Sequence, residues 1–464
     1  MGNIADVVII GTGPAGMFAA LELVALRPGV KIVMLEKGPV RPMGDKANVT
    51  AGWGGAGAFS DGKLNLTSVV GGTVHEIVGR EAYDVLMREV DERYLAFGGK
   101  PNLKDACADP ETRVRVERLR ASALAADLDL RPFPIRHLGT DTAHDIVMNI
   151  KRHLEERGVE IMTGCEAREL RRDGDHWAVG IDHEDGDPMT QGAVFGRHVI
   201  AAPGRSGAKW METEARRLGL HLKNNGVDVG VRVEVLNETL RDITDLLYES
   251  KLIYHSKVSD DKLRTFCMCP EGLVAIEDYR GLKTVNGHSY EASSPRRTAN
   301  TNFAILVTQV FTEPFNDPLA YGAYVSGLAN KLAGGGVLVQ RLGDLRSGRR
   351  SKIEKMPHWV VQPTLRPPDA IPGDLGLAIP HRQLNAIVEM LDAMERIAPG
   401  IASKHTLLYG LEVKFYSNQV EADAHFETKL PNLFVAGDGS GYTRGLNQSS
   451  MQGMIVGRRI AGRL

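Results

Sequence analysis

The chain has 464 residues, 43% hydrophobic and 25% charged, a globular balance too long for one ordinary core and suited to two or three lobes. Its 56 basic and 58 acidic residues leave a net charge of −2, with no electrostatic footprint for nucleic acid or an anionic membrane. Four cysteines make no disulfide framework and point to a reducing cytoplasm; apolar runs such as 303–310 are too short to span a bilayer, and with the first motif at residue 6 no signal peptide is expected.

An apolar strand, Asp6 to Ile10, runs into Gly11-Thr12-Gly13-Pro14-Ala15-Gly16. A helical pattern follows, then a second strand ending at Glu36 beside Lys37. This is the dinucleotide fingerprint in its full context. Gly11 permits the turn, Gly13 admits a pyrophosphate, and Gly16 lets the helix approach the sheet. With Pro14 and Ala15 they form the helix N-terminus that faces the phosphates. Glu36 is spaced to accept from ribose hydroxyls and would repel a 2′-phosphate, so FAD or NAD fits better than NADP. The glycine-rich run 51–64 is too long for an idle loop; Gly54, Gly55, Gly57, Ser60 and Lys63 are expected along the cofactor.

Helical periodicity is predicted over 74–95, 111–127 and 141–157, the last stopping at Gly158 before a strand at 159–162. A strand-rich excursion, 167–181, adds Ala167 to the cofactor candidates, and the strand 198–202 ends in Ala202-Pro203-Gly204. From 226 to 400 alternating strands predominate, including 227–235, 273–275 and 303–311. The chain then returns to a strand, 433–436, the turn Gly437-Asp438-Gly439, and a final helix over 444–462. Arg444, Gly445, Gln448 and Ser449 stand at that helix's start, where they would hold a ring edge, bind a substrate anion or only cap the helix.

The acid just past a strand end in Gly437-Asp438-Gly439 is similar to the ribityl-binding turn of glutathione-reductase-type flavoproteins. The runs 52–64 (GWGGAGAFSDGKL), 264–270 (RTFCMCP), 285–289 (VNGHS), 339–344 (VQRLGD) and 437–446 (GDGSGYTRGL) resemble the family of uncharacterised FAD-dependent dehydrogenases over most of the chain. Trp53, where Glu is usual, and Lys414-Phe415-Tyr416-Ser417 after Glu412 depart from its pattern. The resemblance implies an α/β fold in which a Rossmann-like, discontinuous FAD-binding domain carries an inserted mixed-sheet (α+β) substrate domain. The expected pieces are 1–75, 140–225 and 401–464 for FAD, a helical segment at 76–139, and the insert at 226–400.

The cofactor expected is therefore FAD. The reaction expected is hydride transfer between flavin N5 and a small organic substrate, either C=C reduction or C–C or C–N oxidation. A single fingerprint leaves NAD(P)H to bind transiently, or another donor to serve. An NAD(P)H-driven flavin monooxygenase, a non-catalytic flavin-binding protein and a plain NAD site stand as alternatives. General acid or base candidates are His288, Tyr290, Glu412, Tyr416 and Tyr442, since a flavin enzyme needs one such group. The histidines show no metal-ligand spacing. The thiols of Cys267-x-Cys269 are expected to point apart and to be inert, a bridge between them being strained.

Overall fold

The computed structural model describes residues 4–40, 51–58, 62–138, 140–183, 192–279, 281–290, 295–309, 311–312, 314–315 and 317–464. The fold is mixed α/β and divides into two compact units. One comprises residues 1–104, 134–225 and 416–464; the other comprises 105–133 and 226–415. The boundaries differ from those expected. Residues 401–415 belong to the second unit because the strand Leu407–Lys414 pairs inside its sheet, and the stretch 76–139 is shared between the units.

In the first unit the strand Ala5–Ile10 lies parallel between Ile32–Glu36 and Gly192–Ala201, with Glu160–Thr163 parallel beyond Ile32–Glu36. The strand Gly192–Ala201 divides its partners. Its first half pairs antiparallel with His176–His183, and its last residues pair in parallel with Leu433–Val435. Val7, Val8 and Ile9 are fully buried, as befits strands covered on both faces. The helix Pro14–Leu26 is apolar but for Glu22, which pairs with Arg93 and Arg458, and is buried from Ala15 to Val24. The closing helix Leu446–Ala461 lies on it at glycine contacts: a Cβ on Gly453 would stand 2.1 Å from the Ala15 carbonyl oxygen, and one on Gly457 2.8 Å from that of Ala19. The helix predicted over 74–95 is two, Val74–Val78 and Arg80–Ala96, because Gly79 turns the chain at φ +81°.

The second unit is built on an eight-stranded sheet. Its order is Ala370–Pro372, Val337–Arg341, Leu407–Lys414, Val227–Leu236, Asn300–Gln309, Lys262–Cys269, Lys251–His255 and Leu128–Arg131. Along Val227–Leu236 the valines at odd positions join Phe303, Ile305 and Val307 in the core shared with the helix His381–Met394. The even positions carry Asp228, Arg232 and Glu234, and these are buried too. A hairpin, Leu273–Tyr279 with Leu282–His288, stands over Arg232: a Cβ on Gly287 would fall 1.8 Å from Arg232 Nη2. No helix among the described residues is long and apolar enough to cross a membrane.

Candidate functional site

In the first unit three parallel strands end side by side. The Ala202 amide donates to the Ile10 carbonyl at 2.8 Å, and the Ala436 amide to that of Ala201 at 2.9 Å. Gly11, at φ +96°, has the Ala202 carbonyl oxygen where a Cβ would be (2.2 Å), so only glycine fits. Gly16 is equally confined, its Cβ position lying 2.1 Å from the Gly11 carbonyl. Gly13 differs, since nothing lies within 4 Å of its Cβ position. It caps a helix that begins with Pro14 and has no side-chain cap. An open approach over uncapped backbone donors is what an anionic pyrophosphate needs, and here the residues fit such a ligand.

Glu36 is buried, and its carboxylate ties this corner together. Oε2 accepts from the Thr12 amide (3.2 Å) and hydroxyl (2.8 Å); Oε1 accepts from the amides of Gly38 (3.1 Å) and Gly52 (2.8 Å). Those four bonds use the acceptor positions of a carboxylate. Glu36 thus holds the loops on either side of residues 41–50 as well as the turn. The glycine-rich run sits on the turn: the Gly54 amide donates to the Thr12 carbonyl (3.2 Å), the Gly55 Cβ position is 3.3 Å from Gly13 Cα, and that of Gly57 is 3.2 Å from Pro14. Lys37 is half-buried, and Lys63 lies in a strand paired with Ile135–His137. Ser60 lies outside the described residues. Ala167 sits in Cys165–Asp173, separated from the first strand by two others in the sheet order.

The C-terminal turn meets the same corner. The Gly437 Cβ position is 3.2 Å from Ala15 Cβ, and the Gly439 position 2.7 Å from the Gly204 carbonyl. Asp438 Oδ1 accepts from Thr443 Oγ1 (2.8 Å) and Ser449 Oγ (3.1 Å), while Arg205 Nε stands 3.7 Å from Oδ2. The closing helix starts at Gly445 without a side-chain cap. Gln448 is not open at that start: its oxygen accepts from the Val74 amide and its nitrogen donates to the Val70 carbonyl, both at 3.1 Å. Arg444 is exposed and its guanidinium lies 3.7 Å above the ring of the half-buried Tyr416. Tyr442 is buried and donates its hydroxyl to the Val420 carbonyl (2.8 Å); burial pushes the phenol up to about 12. Thr12, Thr443 and Gln452, whose oxygen accepts from the Gly437 amide, were given no role by sequence reasoning. Only the hydroxyl neighbours of the two glycine turns hinted at them.

The remaining proton-transfer candidates lie in the second unit. His288 is exposed at the end of the hairpin, and Tyr290 is half-buried with Arg296 over its ring. Glu412 is fully buried between Arg232 (3.3 Å) and Lys414 (3.3 Å), and Lys414 also reaches Glu277 at 3.3 Å. Burial pushes the Glu412 carboxyl up, while Lys414 and Arg232 pull it back. Burial opposes the Lys414 ammonium, but Glu412 and Glu277 outweigh it and hold it above the usual lysine range. The arrangement makes Glu412 a buried counter-ion to Arg232 and Lys414. Glu412, His288 and Tyr290 belong to the second unit, and Tyr416 and Tyr442 to the first.

The thiols do not point apart. Residues two apart share a strand face. In addition, the register slips between Phe266 and Cys269, and Cys267 takes φ +46°, bringing the two sulfurs to 3.7 Å.

Residues 6–229 match the family described as FAD dependent oxidoreductase, and residues 227–415 match FAD-dependent protein, C-terminal domain-like. An uncharacterised protein of Clostridium beijerinckii is 25% identical over 490 residues, covering 98% of this chain and 80% of its own length. Among solved structures the chain is similar to a glycine oxidase from Geobacillus kaustophilus, at 13% identity and TM-score 0.38, over 99% of this chain and 95% of that one. It is also similar to an anhydrotetracycline hydroxylase from Streptomyces rimosus, at 13% identity and TM-score 0.38, over 99% of this chain but 63% of the hydroxylase.

Proposed function

We propose that this chain is an FAD-dependent oxidoreductase that moves a hydride between the flavin N5 and a small organic substrate, by saturating an activated C=C bond or oxidising a C–C or C–N bond. The observation that carries the reading is the corner where three parallel strand ends, the open Gly13 and two helix starts without side-chain caps converge. Crevices at the carboxyl ends of parallel strands are where open α/β sheets take their ligands. Bound FAD would supply the two-electron chemistry itself.

The chain's own residues then bind and orient. The backbone donors after Gly13, at Ala15 and Gly16, take the pyrophosphate. Glu36 keeps a carboxylate where a 2′-phosphate would otherwise fit, and a ribose hydroxyl gains it by replacing one of its present donors. Asp438, already oriented by Thr443 and Ser449, takes a ribityl hydroxyl in the manner of glutathione-reductase-type proteins. Arg444, fixed over Tyr416, offers an exposed cation for a substrate anion. Tyr416 is the proton-transfer candidate nearest to it. Residues 226–415 form the substrate domain in this reading, with NAD(P)H or another donor acting transiently.

The test is anaerobic titration of the FAD-loaded chain with NADH, NADPH and candidate substrates, read by visible absorbance. Bleaching by one reagent and recovery with another would define the two half-reactions. A chain that folds but takes up no FAD from excess would overturn the proposal. NAD(P)H-driven oxygen use with a hydroxylated product would replace it by the monooxygenase reading.

A further inference from the structure

We propose that Cys267 and Cys269 form a redox-active dithiol that exchanges with low-molecular-weight disulfides of the glutathione class. The inference is independent of the hydride reaction. It rests on five observations in the second unit. The sulfurs lie 3.7 Å apart, in van der Waals contact and within about 2 Å of the bonded distance of about 2.05 Å. Cys267 holds φ +46°, a left-handed conformation that non-glycine residues seldom adopt and that clusters at functional positions. The two thiols differ in access: Cys267 is half-buried and Cys269 buried, the asymmetry of an attacking and a resolving thiol. Arg232 donates from Nη2 to Cys269 Sγ at 3.3 Å and to the Cys267 carbonyl at 2.6 Å, a fixed cation against the resolving sulfur. Asn302, opposite Cys269 in the strand register, is fully buried, and its Nδ2 has no partner among the described residues.

The exchange balances as follows. The Cys267 thiolate attacks one sulfur of RSSR, breaking its S–S bond and releasing RS⁻, to leave Cys267–S–S–R. The Cys269 thiolate then attacks the Cys267 sulfur, forming the intrachain disulfide and expelling the second RS⁻. The dithiol loses two electrons, RSSR gains them, and the two thiol protons end on two RSH. Excess RSH reverses both steps.

The test uses the full FAD-loaded chain equilibrated in buffers of graded reduced and oxidised glutathione. Samples are quenched in acid, denatured, alkylated with a maleimide and mapped by mass spectrometry. With rising oxidised glutathione, two of the four cysteines should escape alkylation. The peptide carrying Cys267 and Cys269 should become two hydrogens lighter and be restored by dithiothreitol. Cys269→Ser should accumulate glutathione on Cys267, and Cys267→Ser should carry none on Cys269. Full alkylation of all four cysteines at every ratio overturns the proposal, as does mapping of the lost thiols to Cys107 or Cys165. The wild-type map decides the matter even where a variant does not fold.

Discussion

Gly453→Ala sets local preference against packing. Inside an exposed helix the change gains about 1 kcal/mol, because alanine loses less backbone entropy than glycine. Here the new methyl would stand 2.1 Å from the Ala15 carbonyl oxygen and 3.0 Å from the Ala19 amide nitrogen. Both are backbone atoms of the first helix, so relief requires the two helices to separate rather than one side chain to turn. Overpacking of a tight core costs about 1–3 kcal/mol, and an obstacle of main-chain atoms belongs at the upper end. The net expectation is a loss of about 2 kcal/mol, with weaker FAD retention because Ala15 also borders the open Gly13. Gly327→Ala is the control: it too lies within a helix, but its Cβ would meet only Leu282 Cδ2 at 3.7 Å. It should be neutral or stabilising by up to about 1 kcal/mol. Urea unfolding followed by circular dichroism, with flavin release recorded in parallel, compares them. If Gly453→Ala unfolds at the same urea concentration as the parent or a higher one, the account of the two helices is wrong.

Other expectations concern buried charge and the nucleotide corner. Arg232→Ala removes one of the two cationic partners of Glu412 and the donor to Asn302 Oδ1 (2.8 Å), and should cost about 3–5 kcal/mol in urea unfolding; an unchanged midpoint would contradict the ion pair. Asp438→Ala should leave a folded but largely colourless chain, whereas full flavin retention on gel filtration would remove Asp438 from the site. Glu36→Gln turns an acceptor into a donor facing backbone amides, so stability should fall by about 1–3 kcal/mol, seen as a lower melting temperature, together with FAD uptake; loss of uptake alone would deny its role in holding the loops. His198 is kept neutral by burial, which lowers its folded pKa. Below the unfolded value of about 6.5 the unfolded chain binds a proton that the folded chain refuses until its own lower pKa. Stability should therefore rise with pH across that window, and His198→Gln should flatten the slope of melting temperature there.

The glycine turns and apolar strands of the first unit were legible because they are local: Gly11, Gly13 and Gly437 do their work within a few residues of the strands they follow. What could not be read depends on distant pairing. The stretch Val227–Leu236 alternates valine with charge, which reads as a strand with one wet face. Its charged face is dry because a hairpin that begins only at Leu273 covers it and because Glu412 and Lys414 arrive to compensate it. The closeness of Cys267 and Cys269 came from a register slip, and bulges leave no mark in periodicity. Glu36 was found by its spacing, but its four donors lie on segments whose approach no spacing rule encodes.

The embrace of the first helix by the last has a consequence during synthesis. Every residue of the second unit leaves the ribosome before the closing helix does, so that unit has the material to fold while the opening strand and helix still lack their cover. The opening strand and helix are thus among the last parts of the first unit to be completed. In the interval its buried apolar surface is exposed, and a nascent chain halted shortly before residue 446 should be a client for chaperones and unable to retain the flavin.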